Sequence, residues 1–237
     1  ALRVFRFKEF SIDDSDVAMK VGTDGVLLGA WSRTSNPKKI LDVGCGTGLI
    51  ALQLAQRFPS SNITAIDIDD RAYKATRTNF FNSPWSERLA VLKGDFLDNS
   101  LVIASDFDLI VSNPPYFQGT NTHKNTRTLA RNSKHLPLNE LIKSAYRILN
   151  EGGVFSLILP FDRFSEAQTI AVDTGFKIRR YCLVKGRAEL PVKRVMLELQ
   201  KTTSAIVAER EELVIEIERH LYTEEYRHLT APFYLNF

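Results

Sequence analysis

The chain has 237 residues with 44% hydrophobic content, which is enough for one α/β domain with additions. Its formal net charge of +3 is compatible with a nucleic-acid substrate but does not demonstrate one. The two cysteines argue against a disulfide framework, and the four histidines show no metal-binding spacing. The start lacks a signal-peptide pattern and no apolar run approaches about 18 residues, so we expect a cytoplasmic protein without membrane or metal.

The first thirty residues precede the regular alternation of strands and helices. Within them, Gly22 and Thr23 lie just before a helix predicted at residues 26–31. Threonine and aspartate are good helix starters, so this segment can be read as a plain capping turn.

A glycine-rich turn follows the first predicted core strand, and a helix through Arg57 follows the turn. Gly44, Gly46 and Gly48 alternate with other residues, which lets the backbone approach a ligand closely. The amides at the start of the helix point toward that ligand. A dinucleotide fold spaces its glycines G-x-G-x-x-G, whereas this turn reads G-x-G-x-G with Asp42 two residues before it. The spacing argues against a pyrophosphate ligand and leaves a purely structural connection as the alternative.

Further strands alternate with helices, which predicts right-handed crossovers and a parallel sheet covered on both faces. The predicted strands are 62–67, 89–93, 107–112 and 154–159, and the predicted helices are 71–82, 138–149 and 161–174. Two β-rich segments, 176–185 and 191–201, form a hairpin candidate across a short linker. We expect the tail from Ala208, like the first thirty residues and the loop 117–134, to lie outside the sheet.

Asn113, Pro114, Pro115 and Tyr116 directly follow the strand predicted at 107–112. Proline fixes φ and lacks an N–H, so the asparagine amide and the neighbouring carbonyls stay available as rigid acceptors for a planar NH2 group. The tyrosine ring offers a stacking face for a base. The alternative is a stiff proline turn that ends a strand.

Two segments are rich in cations. The loop 117–134 contains no acid and is interpreted as a phosphate-contacting lid or, alternatively, as a solvated disordered loop; its cations are Lys124, Arg127, Arg131 and Lys134. Residues 177–194 contain seven Lys or Arg and one Glu. That stretch could bind nucleic acid or could be a solvated edge hairpin.

The glycine turn with Asp42, followed by the Asn113 to Tyr116 motif, resembles class I S-adenosylmethionine-dependent methyltransferases that act on nitrogen. Residues 5–10, 18–25, 186–194 and 229–235 extend the resemblance over nearly the whole chain, to the bacterial tRNA1(Val) adenine N6-methyltransferase family. The resemblance implies a Rossmann-like α/β fold with a mostly parallel seven-stranded sheet, an antiparallel final strand and helices on both faces. It also implies one domain over 1–237, divided into a cap (1–30), a catalytic core (31–201) and a carboxy-terminal helix and tail (202–237).

The implied cofactor is S-adenosyl-L-methionine. Asp42 would hold its amino group, Gly44 and Gly46 would allow close backbone contact, and Gly22 and Thr23 would close over its methionine end. Asn113 would also belong to the cofactor site. Asp67 would accept from the ribose hydroxyls, although it could instead serve a helix start together with Asp69 and Asp70, which we assign to capping. Asp95 and Phe96 match the adenine-binding position. The alternative is that Asp95 is an ordinary acidic loop residue without a binding role.

The implied reaction methylates N6 of the adenine 3′ of the anticodon in a valine tRNA. The Asn113 side-chain carbonyl and the Pro114 main-chain carbonyl would accept from the target NH2, and Tyr116 would stack on the base. Guanine N2 of rRNA and a protein glutamine remain alternative acceptors, and a non-catalytic RNA-binding module is the alternative from another class. We expect tRNA as the partner and no obligate protein partner.

Overall fold

The computed structural model describes residues 4–98, 106–115 and 136–236. Tyr116 and the four loop cations Lys124, Arg127, Arg131 and Lys134 lie outside the described residues. The strands are β1 (Val4–Arg6), β2 (Ser11–Asp13), β3 (Lys39–Val43), β4 (Asn62–Asp67), β5 (Leu89–Lys93), β6 (Phe107–Ser112), β7 (Leu149–Pro160), β8 (Lys177–Arg187), β9 (Arg194–Gln200), β10 (Glu209–Glu218) and β11 (Leu221–Tyr222). The α-helices are α1 (Thr23–Trp31), α2 (Leu49–Arg57), α3 (Asp70–Phe81), α4 (Leu138–Ile148), α5 (Phe164–Thr174) and α6 (Glu224–Thr230).

The described residues form one large mixed sheet with the order β11-β10-β8-β9-β7-β6-β3-β4-β5. Strands β7, β6, β3, β4 and β5 are mutually parallel, and β9 runs antiparallel to both of its neighbours, β7 and β8. The Rossmann-like α/β class and the antiparallel hairpin are therefore confirmed. No helix in the described ranges is long and apolar enough to cross a membrane.

The core lies on both faces of this sheet because neighbouring residues of a strand point to opposite sides. Ile40 of β3 belongs to a cluster that includes α1 and α2, whereas the next residue, Leu41, belongs to a second cluster that includes α4 and α5. Strand β6 repeats this division with Leu109 and Ile110. The predicted helices on both faces are thus present.

The expectation that the tail from Ala208 lies outside the sheet is wrong. Strand β10 pairs in parallel with β8, and β11 pairs with β10, so the sheet in the described residues has nine strands where the sequence predicted seven. The buried guanidinium of Arg180 on β8 explains the attachment: it pairs with Glu198 of β9 at 2.7 Å and with Glu211 of β10 at 3.1 Å. Because β10 covers β8, the basic stretch is not an edge hairpin.

The amino-terminal hairpin of β1 and β2 packs against the carboxy-terminal segment. The backbone N–H of Lys8 donates to the carbonyl of Phe233 at 2.9 Å, and Phe233 is fully buried. The ring of Tyr234 stacks on Phe7 with a centroid distance of 5.9 Å. The two ends of the described chain are therefore fastened to each other beside the core.

Candidate active site

A cavity of about 950 Å³ opens at the carboxyl edge of the parallel strands. This edge is where ligands bind in open α/β sheets, because the loops that follow the strands converge there. Five of the residues predicted from the sequence line the cavity, namely Gly22, Thr23, Gly44, Gly46 and Asn113. The structure thus brings the glycine turn, the start of α1 and the asparagine motif to one place.

The glycine turn is held in a conformation that suits glycine. Gly44 and Gly46 have φ values of 70° and 58°, and a Cβ added to either would meet no atom within 4 Å. The N–H groups of Gly44 and Cys45 both donate to the Ile66 carbonyl at the end of β4. The open space above the turn therefore allows a ligand to lie directly against the backbone.

Asp42 lies beneath the turn and not on the cavity wall. It is 1% exposed, and its Oδ2 accepts from the Ala51 N–H at 3.2 Å. Its Oδ1 has no hydrogen-bond partner among the described residues. Burial raises the pKa of Asp42 to about 7, helped by the charge of Asp67 and opposed by the Ala51 hydrogen bond. A nearby cation would offset this cost of burying the carboxylate.

Asp67 is tied to the glycine turn but does not itself line the cavity. Its Oδ2 accepts from the Gly46 N–H at 2.9 Å, and its Oδ1 accepts from the Asp69 N–H at 2.8 Å. The side chain of Asp69 caps α3 by accepting from the Arg71 N–H, while Asp70 pairs with two lysines. The assignment of Asp69 to capping is confirmed, and Asp67 remains a candidate for contact with the ribose.

Asp95 and Phe96 follow β5 at the same edge of the sheet but lie outside the cavity wall. The exposed side chain of Asp95 accepts from the Leu97 N–H at 2.9 Å, and Phe96 is buried in the second core cluster. The N–H of Gly94 donates to the Asp67 carbonyl at 3.0 Å, which joins this turn to the end of β4. The adenine-binding role of this pair stays a prediction.

Sheet register places Asn113 beside the glycine turn. Ser112 of β6 lies opposite Val43 of β3, and its hydroxyl donates to the Val43 carbonyl at 2.8 Å. The next residue of each strand is Asn113 and Gly44, so the two motifs are neighbours across adjacent strands. Asn113 is half-buried and Pro114 is buried. An acceptor group and a ligand-binding turn therefore share one cavity.

The sequence did not predict the outer wall of the cavity, which comes from distant parts of the chain. Lys20 and Arg194 line it, and the Nε of Arg194 donates to Asp24 Oδ2 at 2.9 Å. Side chains from both ends of the described chain also line it, namely Phe5, Tyr222, Tyr226 and Tyr234. The sequence marked several of these segments as similar to one family, but gave no sign that they meet. Among the described residues, no group of three or more acidic, histidine or cysteine side chains is arranged to hold a metal ion.

The methyltransferase small domain family matches residues 10–179. The chain belongs to this family. Curated relatives named tRNA1(Val) (adenine(37)-N6)-methyltransferase match it over nearly their whole length. The relative from Flavobacterium psychrophilum is 42% identical over 234 residues, covering 98% of this chain and 99% of the relative. The relative from Bacteroides thetaiotaomicron is 38% identical with 98% and 97% covered, and that from Vibrio cholerae is 40% identical with 98% and 95% covered.

Solved structures support the methyltransferase fold. A predicted O-methyltransferase from Agrobacterium tumefaciens, protein Atu636, superposes with a TM-score of 0.70. It is 20% identical and the alignment covers 89% of this chain and 96% of that structure. At this level of identity the similarity concerns the fold alone. The resemblance found in the sequence is thus confirmed by family, relatives and fold.

Proposed function

We propose that this methyltransferase transfers the methyl group of S-adenosyl-L-methionine to N6 of adenine 37, the adenine 3′ of the anticodon, in a valine tRNA. The relatives that match the whole chain carry this activity in their names. The observation that carries the proposal is the position of Asn113, which shares one cavity with the glycine turn. Donor and acceptor molecules bound there would lie next to each other, and such positioning is the main requirement of a direct displacement.

The residues of the site fit the cofactor. S-adenosyl-L-methionine supplies an electrophilic methyl group on a sulfonium. Gly44 and Gly46 leave their backbone open to a ligand. One oxygen of buried Asp42 has no hydrogen-bond partner among the described residues, which favours a cationic amino group nearby. We assign Gly22 and Thr23 to the methionine end, Asp67 to the ribose, and Asp95 with Phe96 to the adenine ring.

Asn113 and Pro114 would act on the target amine. The exocyclic nitrogen of adenine is weakly nucleophilic because its lone pair is delocalised into the ring. Acceptance of its two N–H bonds by the Asn113 side-chain carbonyl and the Pro114 backbone carbonyl favours the pyramidal form and stabilises the positive charge that develops on nitrogen. The methylated nitrogen is acidic at that stage and loses its proton to water, so no strong general base is needed.

The remaining assignments concern residues beyond the described ranges. We assign Tyr116 to stacking on the target base, which must leave its neighbours to reach the cavity. We assign Lys124, Arg127, Arg131 and Lys134 to the phosphates of the same strand. The chain would act as one domain, with recognition of the tRNA spread over surfaces around the cavity.

The proposal is tested by transfer of labelled methyl to unmodified tRNA, taken from a strain that lacks the protein, with nucleoside analysis of the product. The expected product is N6-methyladenosine at position 37 of a valine tRNA. Asn113→Ala should lower kcat by roughly 100- to 1,000-fold, the range found when one such polar group is removed. Its cofactor affinity should fall far less than kcat, even though Asn113 is also assigned to the cofactor site, and equal losses in both would refute the catalytic role.

Asn139→Ala is the matched control, because Asn139 is exposed at the start of α4 and hydrogen-bonds only Glu140 among the described residues. Its activity should equal that of the unchanged protein. Labelling of a guanine or of a protein glutamine would show that this group, and not adenine 37, is the methyl acceptor. Binding of tRNA in the presence of cofactor without any methyl incorporation would favour the non-catalytic alternative.

A further inference from the structure

The outer wall of the cavity is built from elements beyond the parallel core. Its volume of about 950 Å³ lies at the top of the roughly 300–1,000 Å³ range of small-molecule sites. The cofactor-binding turn occupies one side. The other side is formed by β1, by the end of β10 with β11, and by the end of β8 with the start of β9 and the connection between them. The cavity therefore offers a second surface to whatever accompanies the target base.

Tyr222 is an aromatic side chain of this outer wall with a fixed backbone. It lies opposite Glu216 in the pairing of β10 and β11. Its half-buried ring packs against the ring of Tyr226, with centroids 5.2 Å apart. A ring that is supported in this way can stack on a base with little loss of side-chain freedom, and such stacking is worth about 1–3 kcal/mol per base.

Lys193 is an exposed cation of the same wall, just before β9. Its backbone N–H donates to the Val184 carbonyl at 2.9 Å, which fixes the main chain. In the described part of the chain its ammonium group has neither an ion pair nor a hydrogen bond, whereas the two other cations of the wall both have partners. Arg194 pairs with Asp24, and the Lys20 ammonium donates to two backbone carbonyls, those of Asp14 and Ser15. Lys193 is therefore available to an anionic ligand.

The geometry separates these two groups along the sheet edge. Tyr222 lies on β11 and Lys193 lies just before β9, which is three strands away in the order β11-β10-β8-β9. At about 4.8 Å per strand the component of their separation across the sheet is roughly 14 Å. In the part of the chain that the structure describes, the wall contains two acidic residues, Asp24 and Glu216. Glu216 accepts from the His220 N–H. Ring and ammonium are thus placed for different nucleotides of one strand.

We propose that this wall binds the nucleotides that flank the target adenine, with Tyr222 stacking on a flanking base and Lys193 contacting a backbone phosphate. The inference rests on the proposed function, since it takes single-stranded RNA as the ligand. A base that enters the cavity brings its neighbours to the rim, and an aromatic ring with a nearby cation is the combination that binds single strands without reading their sequence. Both residues would position the substrate and would not take part in methyl transfer.

The test of Lys193 compares Lys193→Ala with Lys177→Ala in the full-length protein. Lys177 is an exposed lysine at the opposite end of the same strand pair, where β8 begins across from Gln200. Lys193→Ala should raise KM for tRNA roughly five- to tenfold at moderate salt. It should also reduce the salt dependence of tRNA binding by about 0.7–0.9 in log–log slope, the value of one lost phosphate contact. Lys177→Ala should change neither quantity.

The test of Tyr222 compares Tyr222→Leu with Tyr222→Phe. The leucine variant should raise KM for tRNA roughly fivefold or more while its cofactor affinity stays unchanged, and the phenylalanine variant should retain the KM of the unchanged protein because it keeps the ring. Equal losses in both variants, or a parallel loss of cofactor binding, would overturn the stacking role. A merely structural role would lower stability and kcat and would leave the KM of the folded fraction unchanged.

The two proposals fail in different ways. If the unchanged protein methylates tRNA but Lys193→Ala keeps the same KM and salt slope, the outer wall does not bind flanking nucleotides and the proposed function stands. If the unchanged protein transfers no methyl group to any RNA, the proposed function fails first. Binding of short single-stranded RNA to the unchanged protein, measured by fluorescence anisotropy with the same variants, then tests the wall independently of catalysis.

Discussion

The buried carboxyl of Asp42 makes the stability of the cofactor-free protein depend on pH. Its pKa rises from the ordinary 3.8 to about 7 on folding, mainly because of burial. The folded state therefore holds this proton more tightly than the unfolded chain does. Its contribution is fully present below pH 3.8 and is lost as the pH rises through about 7.

Asp42→Asn removes this titration while keeping the shape of the side chain. The amide oxygen can still accept from the Ala51 N–H, and the amide nitrogen replaces the oxygen that has no partner among the described residues. Each factor of ten in proton affinity is worth 1.36 kcal/mol, so the gain in unfolding free energy relative to the unchanged protein is about 2 kcal/mol at pH 5 and about 4 kcal/mol at pH 8. The quantity to measure is the increase of this gain from pH 5 to pH 8, which is roughly 2.5 kcal/mol. Effects of the substitution on stability that do not depend on pH cancel in this difference.

The assay is urea unfolding followed by circular dichroism at pH 5, 6, 7 and 8, without cofactor. Asp173→Asn, which makes the same change at an exposed carboxylate on α5, is the matched control. With saturating S-adenosyl-L-methionine the pH dependence should shrink, because a cationic amino group near Asp42 favours its charged form. A difference between Asp42→Asn and the unchanged protein that stays constant from pH 5 to pH 8 would refute the reasoning.

Further substitutions separate the roles of the turn, the ion network and the tail. Gly44→Ala should weaken cofactor binding more than tenfold in calorimetry. It should lower the unfolding free energy by only about 1–2 kcal/mol, since its Cβ enters open space at positive φ. Unchanged affinity would show that no ligand contacts the turn. Gly48→Ala should cost about 2–4 kcal/mol in urea unfolding because its Cβ would lie 2.8 Å from Phe80, and a smaller cost than for Gly44→Ala would contradict this. Glu198→Gln should lower the unfolding free energy by about 3 kcal/mol, because buried Arg180 loses a charged partner. An unchanged unfolding free energy would show that this ion pair does not stabilise the fold. Phe233→Ala should cost about 3–5 kcal/mol in the same assay and expose the amino-terminal hairpin to proteolysis; an unchanged cleavage pattern would show that the tail does not hold it.

The parallel core could be predicted from sequence because its signals are local. The strands Asn62–Asp67, Leu89–Lys93 and Phe107–Ser112 have the predicted bounds, since short apolar runs between turns indicate buried strands. The glycine turn and Asn113 were found for the same reason, as each is a short motif directly after a strand. The two motifs meet because β3 and β6 are parallel neighbours in the sheet and are paired so that their ends lie side by side.

Strand β10 was missed because its acidic side chains hide its place in the sheet. Only Leu213 of this strand is buried among its apolar residues, and Glu211 and Glu212 read as a solvated segment. These charges form ion pairs when β8 lies alongside, where Arg180 pairs with Glu211 and Lys185 with Glu212. Partners of this kind are tertiary, so no local pattern indicates them.

The same limit applies to the site. The sequence identified Asp42 but could not show that it is buried beneath the turn, because depth depends on the helices that pack above it. Nor could it predict a wall that joins Phe5 to Tyr222 and Lys193, which are far apart in the chain. A local motif gives the chemistry of a site, while its enclosure depends on contacts between distant segments.

The fastening of the two chain ends has a consequence for protein synthesis. The ammonium of Lys8 donates to the carbonyl of Ala231, across 223 residues of sequence. On the ribosome the amino-terminal hairpin therefore emerges well before its partner and lacks it until residues 231–234 have been translated. A prematurely terminated or carboxy-terminally clipped product could retain most of the parallel sheet and still leave its cavity open on one side. Competence for the reaction would thus appear only in molecules whose translation had passed Tyr234, which couples activity to the integrity of the polypeptide.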